Sequence, residues 1–316
     1  MDRDEGRLGQ VHARFPEISV GTDAAQALED PSVDAAVVAT PTSTHFEVAR
    51  TALAQGKHVM VEKPITADSR DAERLCELAE RAGLVLMVGH VFLYNAGVQR
   101  VKRYLDEDEL GRIYYVSMVR TNLGPIRVDV NAAWDLASHD ISIANYWLDS
   151  PPHTVSAVGG NWINAGIEDA VFATLRYPGE VMVNLHCSWL NPLKARDITV
   201  VGERKMLTLD DLSLTEPIRI FDKGVTDERM SPSFVDSFAS FRASVRDGDI
   251  MIPKVPLDEP LGAECRHFID CVRDGTPPRT SGRLGLGVVR TLEAMARSME
   301  NSGAEERVAA VTEEAA

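Results

Sequence analysis

The chain has 316 residues, of which 44% are hydrophobic and 26% charged, a composition typical of a soluble globular protein with room for two domains. Its formal net charge of -15 argues against a nucleic-acid partner, because proteins that bind nucleic acid collect Lys and Arg on one face. The four cysteines lack paired zinc spacing and no apolar leader opens the chain, so we expect a cytoplasmic protein with free thiols and no membrane role.

Short apolar runs alternate with amphipathic stretches in the first third of the chain. Strands that alternate with helices favour a parallel sheet covered by helices on both faces. In chain order, the pattern predicts a helix at 5–15, a very short strand at 18–20, a helix at 23–28, a strand at 34–39, a helix at 45–55, a strand at 58–61, a helix at 71–81 and a strand at 84–88.

The glycine-rich turn of a dinucleotide-binding half is missing, since no G-x-G-x-x-G occurs in the sequence. Such a half opens with a strand, this turn, and a helix whose N-terminus faces a pyrophosphate. The segment 1–4 looks like the end of the second strand of such a unit, where Asp2 would meet the adenosine ribose. We therefore expect an N-terminally truncated Rossmann-like domain at 1–92, through a misplaced start or a deletion of the first βαβ segment.

Beyond residue 92 the pattern changes to repeated strands separated by turn signals such as Pro178-Gly179. It predicts an α+β domain at 93–300 with a large, mostly antiparallel open sheet, and a tail at 301–316 that frays from Ala304. A loop is expected at 231–256. The predicted elements are helices at 97–105, 134–148, 264–272 and 284–298, and strands at 113–122, 154–161, 170–177, 181–189, 197–201, 206–209 and 218–221.

The triplet Glu62-Lys63-Pro64 closes the predicted strand 58–61. Ligands of open α/β sheets bind at the carboxyl ends of the strands, where a carboxylate and a cation can act on a substrate hydroxyl group. Taken alone, the tripeptide is better explained as an ordinary turn with a solvated ion pair.

Asp135 and His139 are four residues apart on a predicted helix, so both side chains can face one cleft. An imidazole titrates near neutral pH and can accept the proton that an alcohol loses when it is oxidised. The alternative is a core histidine bound to a backbone carbonyl, which the residues alone slightly favour. His267 and Cys271 also share a helix face and could hold a metal, but core packing explains them better and we expect no metal site.

Several short motifs follow one another along the chain: Ala39-Thr40-Pro41-Thr42 with His45, Gly56-Lys57-His58-Val59, Glu62-Lys63-Pro64, Val88-Gly89-His90 with Tyr94-Asn95, and Asp135-x-x-x-His139-Asp140. Together, in this order, they resemble the Gfo/Idh/MocA family of oxidoreductases over nearly the whole chain, from Asp2 to about Arg297. The resemblance implies an NAD-dependent enzyme, with NADP as the alternative cofactor, that acts on a sugar and forms a homodimer or homotetramer. The stretches 120–125 and 134–136 look like the branch that acts on nucleotide sugars, often at C3.

The resemblance also implies roles for individual residues. His139 would be the base, Asp135 would orient it or share its proton, and Lys63 would donate to the reacting oxygen or hold the nicotinamide ribose. The expected cofactor-binding residues are Asp2, Thr40, Pro41, His45, Glu62, Lys63 and Asn95, and the expected substrate-binding residues are Lys63, Asn122, Arg127, Asp135 and His139.

Three of these assignments have alternatives. A solvated helix start explains His45 equally well, and Arg3 beside Asp2 weakens the preference for NAD over NADP. Arg127, like Lys194, could meet a diphosphate or carboxylate, although solvated surface charge is the commoner role of such residues.

Two other functions are open at this point. One is a non-catalytic sugar-binding scaffold, which the missing glycine turn favours and the triplet with its Asp/His pair disfavours. The other is a glycosidase that uses tightly held NAD in a transient redox cycle, as in one branch of the family.

Overall fold

The computed structural model describes residues 1–225, 245–256 and 258–311. The chain forms two units, the first comprising Met1–Gly89 and Cys265–Gly285 and the second His90–Glu264 and Leu286–Ala316. Each unit has its own β-sheet. In the part of the chain that the structure describes, no helix is both long and apolar enough to cross a lipid bilayer.

The N-terminal part of the first unit alternates helices and strands. Its elements are α1 (Glu5–Arg14), α2 (Ala24–Glu29), β1 (Ala35–Val38), α3 (His45–Ala54), β2 (His58–Glu62), α4 (Ser69–Ala82) and β3 (Leu86–Gly89). The strands pair in parallel in the order β1-β2-β3. The middle strand buries Val59, Met60 and Val61 in succession, as a parallel strand covered on both faces should. The predicted Rossmann-like parallel sheet is confirmed.

Two predictions near the N-terminus are wrong. Ile18 and Val20 lie in irregular backbone and are partly exposed, so there is no strand at 18–20. Residues 1–4 form no strand either, and Asp4 instead caps α1 by accepting the backbone N–H groups of Gly6 and Arg7. The Asp2 backbone N–H donates to the Gly21 carbonyl at 3.2 Å, but this contact does not extend into a strand ladder in the described residues.

Helix α4 begins and ends close to where its sequence predicts. The carboxylate of Asp68 accepts the backbone N–H of Arg70 at the N-terminus, and Gly83 follows the last turn with a φ of +64°. The buried face has the spacing of an amphipathic helix and comprises Ala72, Leu75, Cys76 and Ala79.

Replacing Gly83 by alanine is expected to lower the free energy of unfolding by about 1 kcal/mol, because a Cβ disfavours left-handed backbone. Crowding would not contribute, since no atom lies within 4 Å of the added Cβ. Gly9 is the matched control: it lies in α1 with equally open space, so Gly9→Ala should raise the free energy of unfolding by about 0.5–1 kcal/mol. Urea unfolding followed by circular dichroism measures both, and equal stability of the two variants would contradict the strain argument.

The rest of the chain contains most of the strands. Its elements are α5 (Ala96–Asp106), β4 (Ile113–Thr121), α6 (Ser138–Leu148), β5 (Thr154–Gly160), β6 (Ala170–Arg176), β7 (Met182–Ser188), β8 (Ala195–Gly202), β9 (Met206–Asp210), β10 (Ile218–Val225), β11 (Val245–Met251), α7 (Pro260–Asp274), α8 (Gly282–Glu300) and β12 (Glu306–Arg307).

The sheet of the second unit has the order β11-β10-β9-β8-β4-β7-β6-β5-β12. Among the described strands of this sheet only β4 and β7 pair in parallel, so the predicted mostly antiparallel sheet is confirmed. Side chains alternate along β4: Val116, Met118 and Arg120 are buried, whereas Tyr115 is 44% exposed. One face of the sheet is therefore covered and the other is open.

Helices cover the buried face. The indole Nε1 of Trp147 in α6 donates to the Val98 carbonyl of α5 at 3.0 Å. The hydroxyl of Ser298 in α8 accepts the backbone N–H of Ala157 in β5 at 2.8 Å. These bonds hold α5 to α6 and α8 to the sheet within the second unit.

The segment Cys265–Gly285 belongs to the first unit, whereas the predicted division kept all of 93–300 together. The backbone N–H of Val88 donates to the Thr280 carbonyl at 2.8 Å. Gly282 lies so close to β3 that an added Cβ would come within 2.7 Å of Leu86. These partners are almost 200 residues apart in sequence, and local pattern carries no information about such a contact.

Two further predictions are corrected by strand pairing. Part of the expected loop at 231–256 is strand β11, which pairs with β10, while 231–244 lies outside the described residues. The tail does not fray at Ala304, because β12 pairs with β5 and the backbone N–H of Val308 donates to the His153 carbonyl. Residues 312–316 lie outside the described part.

Candidate active site

In the first unit, the carboxyl ends of the strands bring three of the expected residues to one edge. Thr40 follows β1 by two residues, Glu62 is the last residue of β2, and Lys63 comes directly after it. The register of the sheet places Glu62 opposite Gly89 at the end of β3. The Glu62 carboxylate accepts the backbone N–H of Lys63 at 3.1 Å, and a Cβ on Gly89 would lie 3.1 Å from the same oxygen. Glycine at this position thus leaves room for the carboxylate over the end of β3.

His45 does not reach out from this edge as expected. Its side chain is 1% exposed, its Nδ1 lies 2.9 Å from the Pro64 carbonyl oxygen and its Nε2 lies 2.8 Å from the Thr40 carbonyl oxygen. Both ring nitrogens are engaged with backbone, so neither the expected cofactor contact nor a solvated helix start describes this residue. The hydroxyl of Thr44 lies 2.8 Å from both the Thr40 hydroxyl and the Pro41 carbonyl and tightens the same turn.

Two other expected cofactor-binding residues have structural partners. The Asn95 side-chain oxygen caps α5 by accepting the N–H groups of Gly97 and Val98, and its amide donates to Asp211 at 2.8 Å. The Asp2 carboxylate accepts the backbone N–H of Asp4 at 3.0 Å. The structure gives each side chain a local role, and the cofactor contacts stay predictions.

In the second unit, the Asp/His pair lies where one turn of π-helix, Ala133–Ala137, leads into α6. Insertions of this kind in helices are frequent at functional sites. The Asp135 carboxylate is held on both sides: one oxygen lies 3.2 Å from the Arg127 guanidinium and the other accepts the Trp189 indole N–H at 3.1 Å. The sequence pattern missed Trp189, which follows β7. Asp135 is thus fixed in orientation one helical turn before His139.

Phe92 packs against His139, with ring centroids 4.7 Å apart and the planes inclined at 66°. The guanidinium carbon of Arg120 lies 4.5 Å from the Phe92 ring centroid, and that of Arg196 lies 5.4 Å from it. Cations stack favourably on aromatic rings at such distances. Phe92 is therefore placed by two arginines and in turn contacts the proposed base.

Arg120 and Asp140 form a buried ion pair with N–O distances of 2.6 and 2.8 Å. Burial by itself lowers the pKa of Arg120, but the carboxylate of Asp140 outweighs it and the pKa is raised. Burial, reinforced by Asp140, raises the pKa of the Cys187 thiol well above its usual value, so the thiol stays protonated. Asp140 belongs to the motif Asp135-x-x-x-His139-Asp140, but the sequence did not reveal its pairing with Arg120. The available signal was the alternation of buried and exposed side chains along β4, which turns Arg120 inward beside Met118.

The other residues of the second unit that were considered for substrate binding differ in their surroundings. Asn122 is half-buried at the end of β4. Arg127 is paired with Asp129 at 2.6 Å and with Asp135, and the bond to Asp129, opposed by partial burial, raises its pKa. A diphosphate at Arg127 would have to compete with two carboxylates. Lys194 is exposed.

His267 and Cys271 in α7 are explained by packing. The His267 Nε2 accepts the backbone N–H of Arg279 at 3.0 Å and lies 3.5 Å from the Cys271 sulfur. Among the residues that the structure describes, no group of three or more His, Cys, Asp or Glu side chains could hold a metal ion.

Comparison with known proteins identifies both parts of the chain. Residues 1–90 match the oxidoreductase family with an NAD-binding Rossmann fold, and residues 98–208 match the GFO/IDH/MocA C-terminal domain. Scyllo-inositol 2-dehydrogenase (NAD(+)) of Bacillus subtilis is 26% identical over 87% of this chain and 78% of its own. UDP-N-acetylglucosamine 3-dehydrogenase of Acidithiobacillus ferrooxidans is 28% identical over 81% of this chain and 76% of its own. The solved structure of the latter enzyme, GnnA, superposes with a TM-score of 0.79 at 24% identity, covering 95% of this chain and 88% of that one.

Proposed function

Since the chain belongs to the Gfo/Idh/MocA family of oxidoreductases, we propose that it transfers a hydride between a nicotinamide dinucleotide and a secondary hydroxyl group of a sugar or nucleotide sugar. The observation that carries the proposal is the fixed Asp135 carboxylate one turn before His139, held by Arg127 and Trp189. Relatives whose names specify an inositol and a UDP-linked sugar support the substrate class.

His139 is assigned the proton of the reacting hydroxyl group. Oxidation of a secondary alcohol releases a hydride and a proton, and a positioned imidazole accepts a proton efficiently near neutral pH. Asp135 is assigned to orient His139 or to share the proton load with it. Asn122 and Arg127 are assigned to substrate binding in the same unit.

The cofactor-binding residues are assigned to the first unit, where Thr40, Glu62 and Lys63 fit a dinucleotide. A hydroxyl, a carboxylate and an ammonium at the carboxyl ends of parallel strands offer the donors and acceptors that ribose hydroxyl groups require. Bound NAD would supply the hydride acceptor. Lys63 is assigned as the donor that stabilises developing charge on the reacting oxygen, a role suited to a compact ammonium.

Asp2 gives only weak support for NAD over NADP. Its carboxylate lies 3.8 Å from Arg7 as well as accepting the Asp4 N–H, so its negative charge is partly compensated. NAD is proposed as the cofactor, and the two dinucleotides should be compared directly.

The proposal includes a homodimer or homotetramer in the cytoplasm. The open face of the large sheet carries Tyr115, Val158, Phe172 and Met182, each more than 40% exposed. Exposed apolar side chains clustered on one face are typical of an interaction surface. The described cysteines are free thiols, as is usual in a reducing compartment.

A binding titration followed by a substrate screen tests the function. The purified chain should quench or enhance nicotinamide fluorescence saturably with NADH, more weakly with NADPH, and should then reduce NAD with scyllo-inositol, myo-inositol or UDP-N-acetylglucosamine. Binding of a sugar nucleotide without any dinucleotide binding would instead support a scaffold. Release of free sugar from a glycoside without net NAD reduction would support the glycosidase.

A further inference from the structure

The two carbonyl contacts of His45 join the ends of two strands. Thr40 follows β1 and Pro64 follows β2, and the His45 ring, at the first residue of α3, spans both. A buried polar ring that meets only backbone carbonyls is a structural bridge and not a surface group. The His45 ring thereby connects the turn that carries the Thr40 side chain to the segment that carries the Lys63 side chain.

The two atoms that contact the His45 ring nitrogens are both carbonyl oxygens, and this determines which hydrogen bonds the ring can make. A carbonyl oxygen can only accept, so each ring nitrogen must donate to make its bond. A neutral imidazole carries one N–H and satisfies one carbonyl at a time, whereas the imidazolium form satisfies both. The neutral form thus ties one of the two turns to α3 at a time, and the imidazolium form ties both.

The other side of β2 is fixed by a separate contact. Glu62 accepts the Lys63 backbone N–H and lies against Gly89 at the end of β3. The backbone at Lys63 is therefore held from the β1 side through His45 and from the β3 side through Glu62. Of these two, only the His45 bridge also fixes Thr40.

We propose that His45 is a positioning residue for the dinucleotide, acting through the Thr40 and Pro64 carbonyls to hold the ends of β1 and β2 in the binding arrangement. The inference rests on the proposed function. It differs from the expected direct contact, because the ring is 1% exposed with both nitrogens on backbone carbonyls, and it acts by setting the positions of Thr40 and Lys63.

Three substitutions separate the two bonds. An asparagine amide nitrogen occupies roughly the position of Nδ1 and a glutamine amide nitrogen that of Nε2, so His45→Asn keeps the donor to Pro64 and His45→Gln keeps the donor to Thr40. His45→Phe keeps the ring and removes both donors. Losing bonds of ordinary strength to both carbonyls should raise the Kd for NADH about tenfold in His45→Phe, with His45→Asn and His45→Gln between it and the wild type.

His58 is the matched control. It lies at the opposite end of β2, and its Nδ1 accepts the backbone N–H of Val85 at 2.9 Å. His58→Phe therefore keeps a ring, removes a comparable ring-to-backbone bond from the same sheet, and should lower the urea midpoint while leaving the Kd for NADH within twofold of the wild type.

NADH fluorescence titration of the full chain, with urea unfolding of each variant, decides between the outcomes. A purely structural role would lower the urea midpoints of the His45 and His58 variants alike without separating their Kd values. If the wild type binds NADH and His45→Phe, shown to be folded, binds it within twofold, the positioning role is refuted. If the wild type itself binds neither NADH nor NADPH, the proposed function fails instead.

Discussion

Replacing His139 by asparagine is expected to lower kcat by about 10²–10⁴-fold, the usual contribution of a positioned general base. Asparagine retains a polar side chain of moderate size but cannot accept a proton near neutral pH. The Kd for NADH should stay within a small factor of the wild-type value, because the retained cofactor-binding assignments Thr40, Glu62 and Lys63 lie in the first unit. Steady-state kinetics with the best substrate of the screen, beside an NADH titration, measures both.

His153 provides the control for this substitution. It is an exposed histidine of the same unit whose backbone groups make its hydrogen bonds with Arg176 and Val308, so His153→Asn should leave kcat unchanged. A His139→Asn enzyme that turned over within tenfold of the wild type would remove His139 as the base. Parallel loss of turnover and NADH binding would point to general damage and also contradict the assignment.

Breaking the buried Arg120–Asp140 pair is expected to lower the free energy of unfolding by about 3–5 kcal/mol in Arg120→Met, because Asp140 would remain as an uncompensated buried charge. The side chains of Arg120 and Asp140 are only 7% and 2% exposed, so water cannot replace the lost partner. Replacing both, as in Arg120→Met with Asp140→Leu, should recover much of the loss. All four tryptophans lie in the second unit, so urea unfolding followed by tryptophan fluorescence reports on the unit that contains the pair.

The matched control is an exposed pair in the same unit. Arg219 lies 3.1 Å from Glu216, and both side chains are about half exposed, so Arg219→Met should change the free energy of unfolding by less than about 1 kcal/mol. If Arg120→Met destabilised the chain no more than Arg219→Met, the buried pair would have no special part in holding β4 to α6.

The surroundings of Asp135 show which parts of the candidate site the sequence pattern reveals and which parts require the packing of the folded chain. The Asp135/His139 spacing is visible in the sequence because four residues of helix bring two side chains to one face. The partners that fix Asp135 are Arg127, which is near in sequence, and Trp189, which is 54 residues away. The first could be suspected from the sequence, and the second required knowledge of how β7 ends.

Local periodicity by itself determined most of the helices and strands, the parallel sheet at the start of the chain and the mostly antiparallel sheet after it, because burial of alternate or helically spaced side chains is imposed by neighbours in sequence. Only the tertiary structure decided the pairing of β11 and β12, the placement of Cys265–Gly285 in the first unit, the Arg120–Asp140 pair and the bridge formed by His45. Each of these depends on which distant backbone or side chain is available to satisfy a buried polar group. That availability is set by the packing of the whole unit, so no local pattern of residues encodes it.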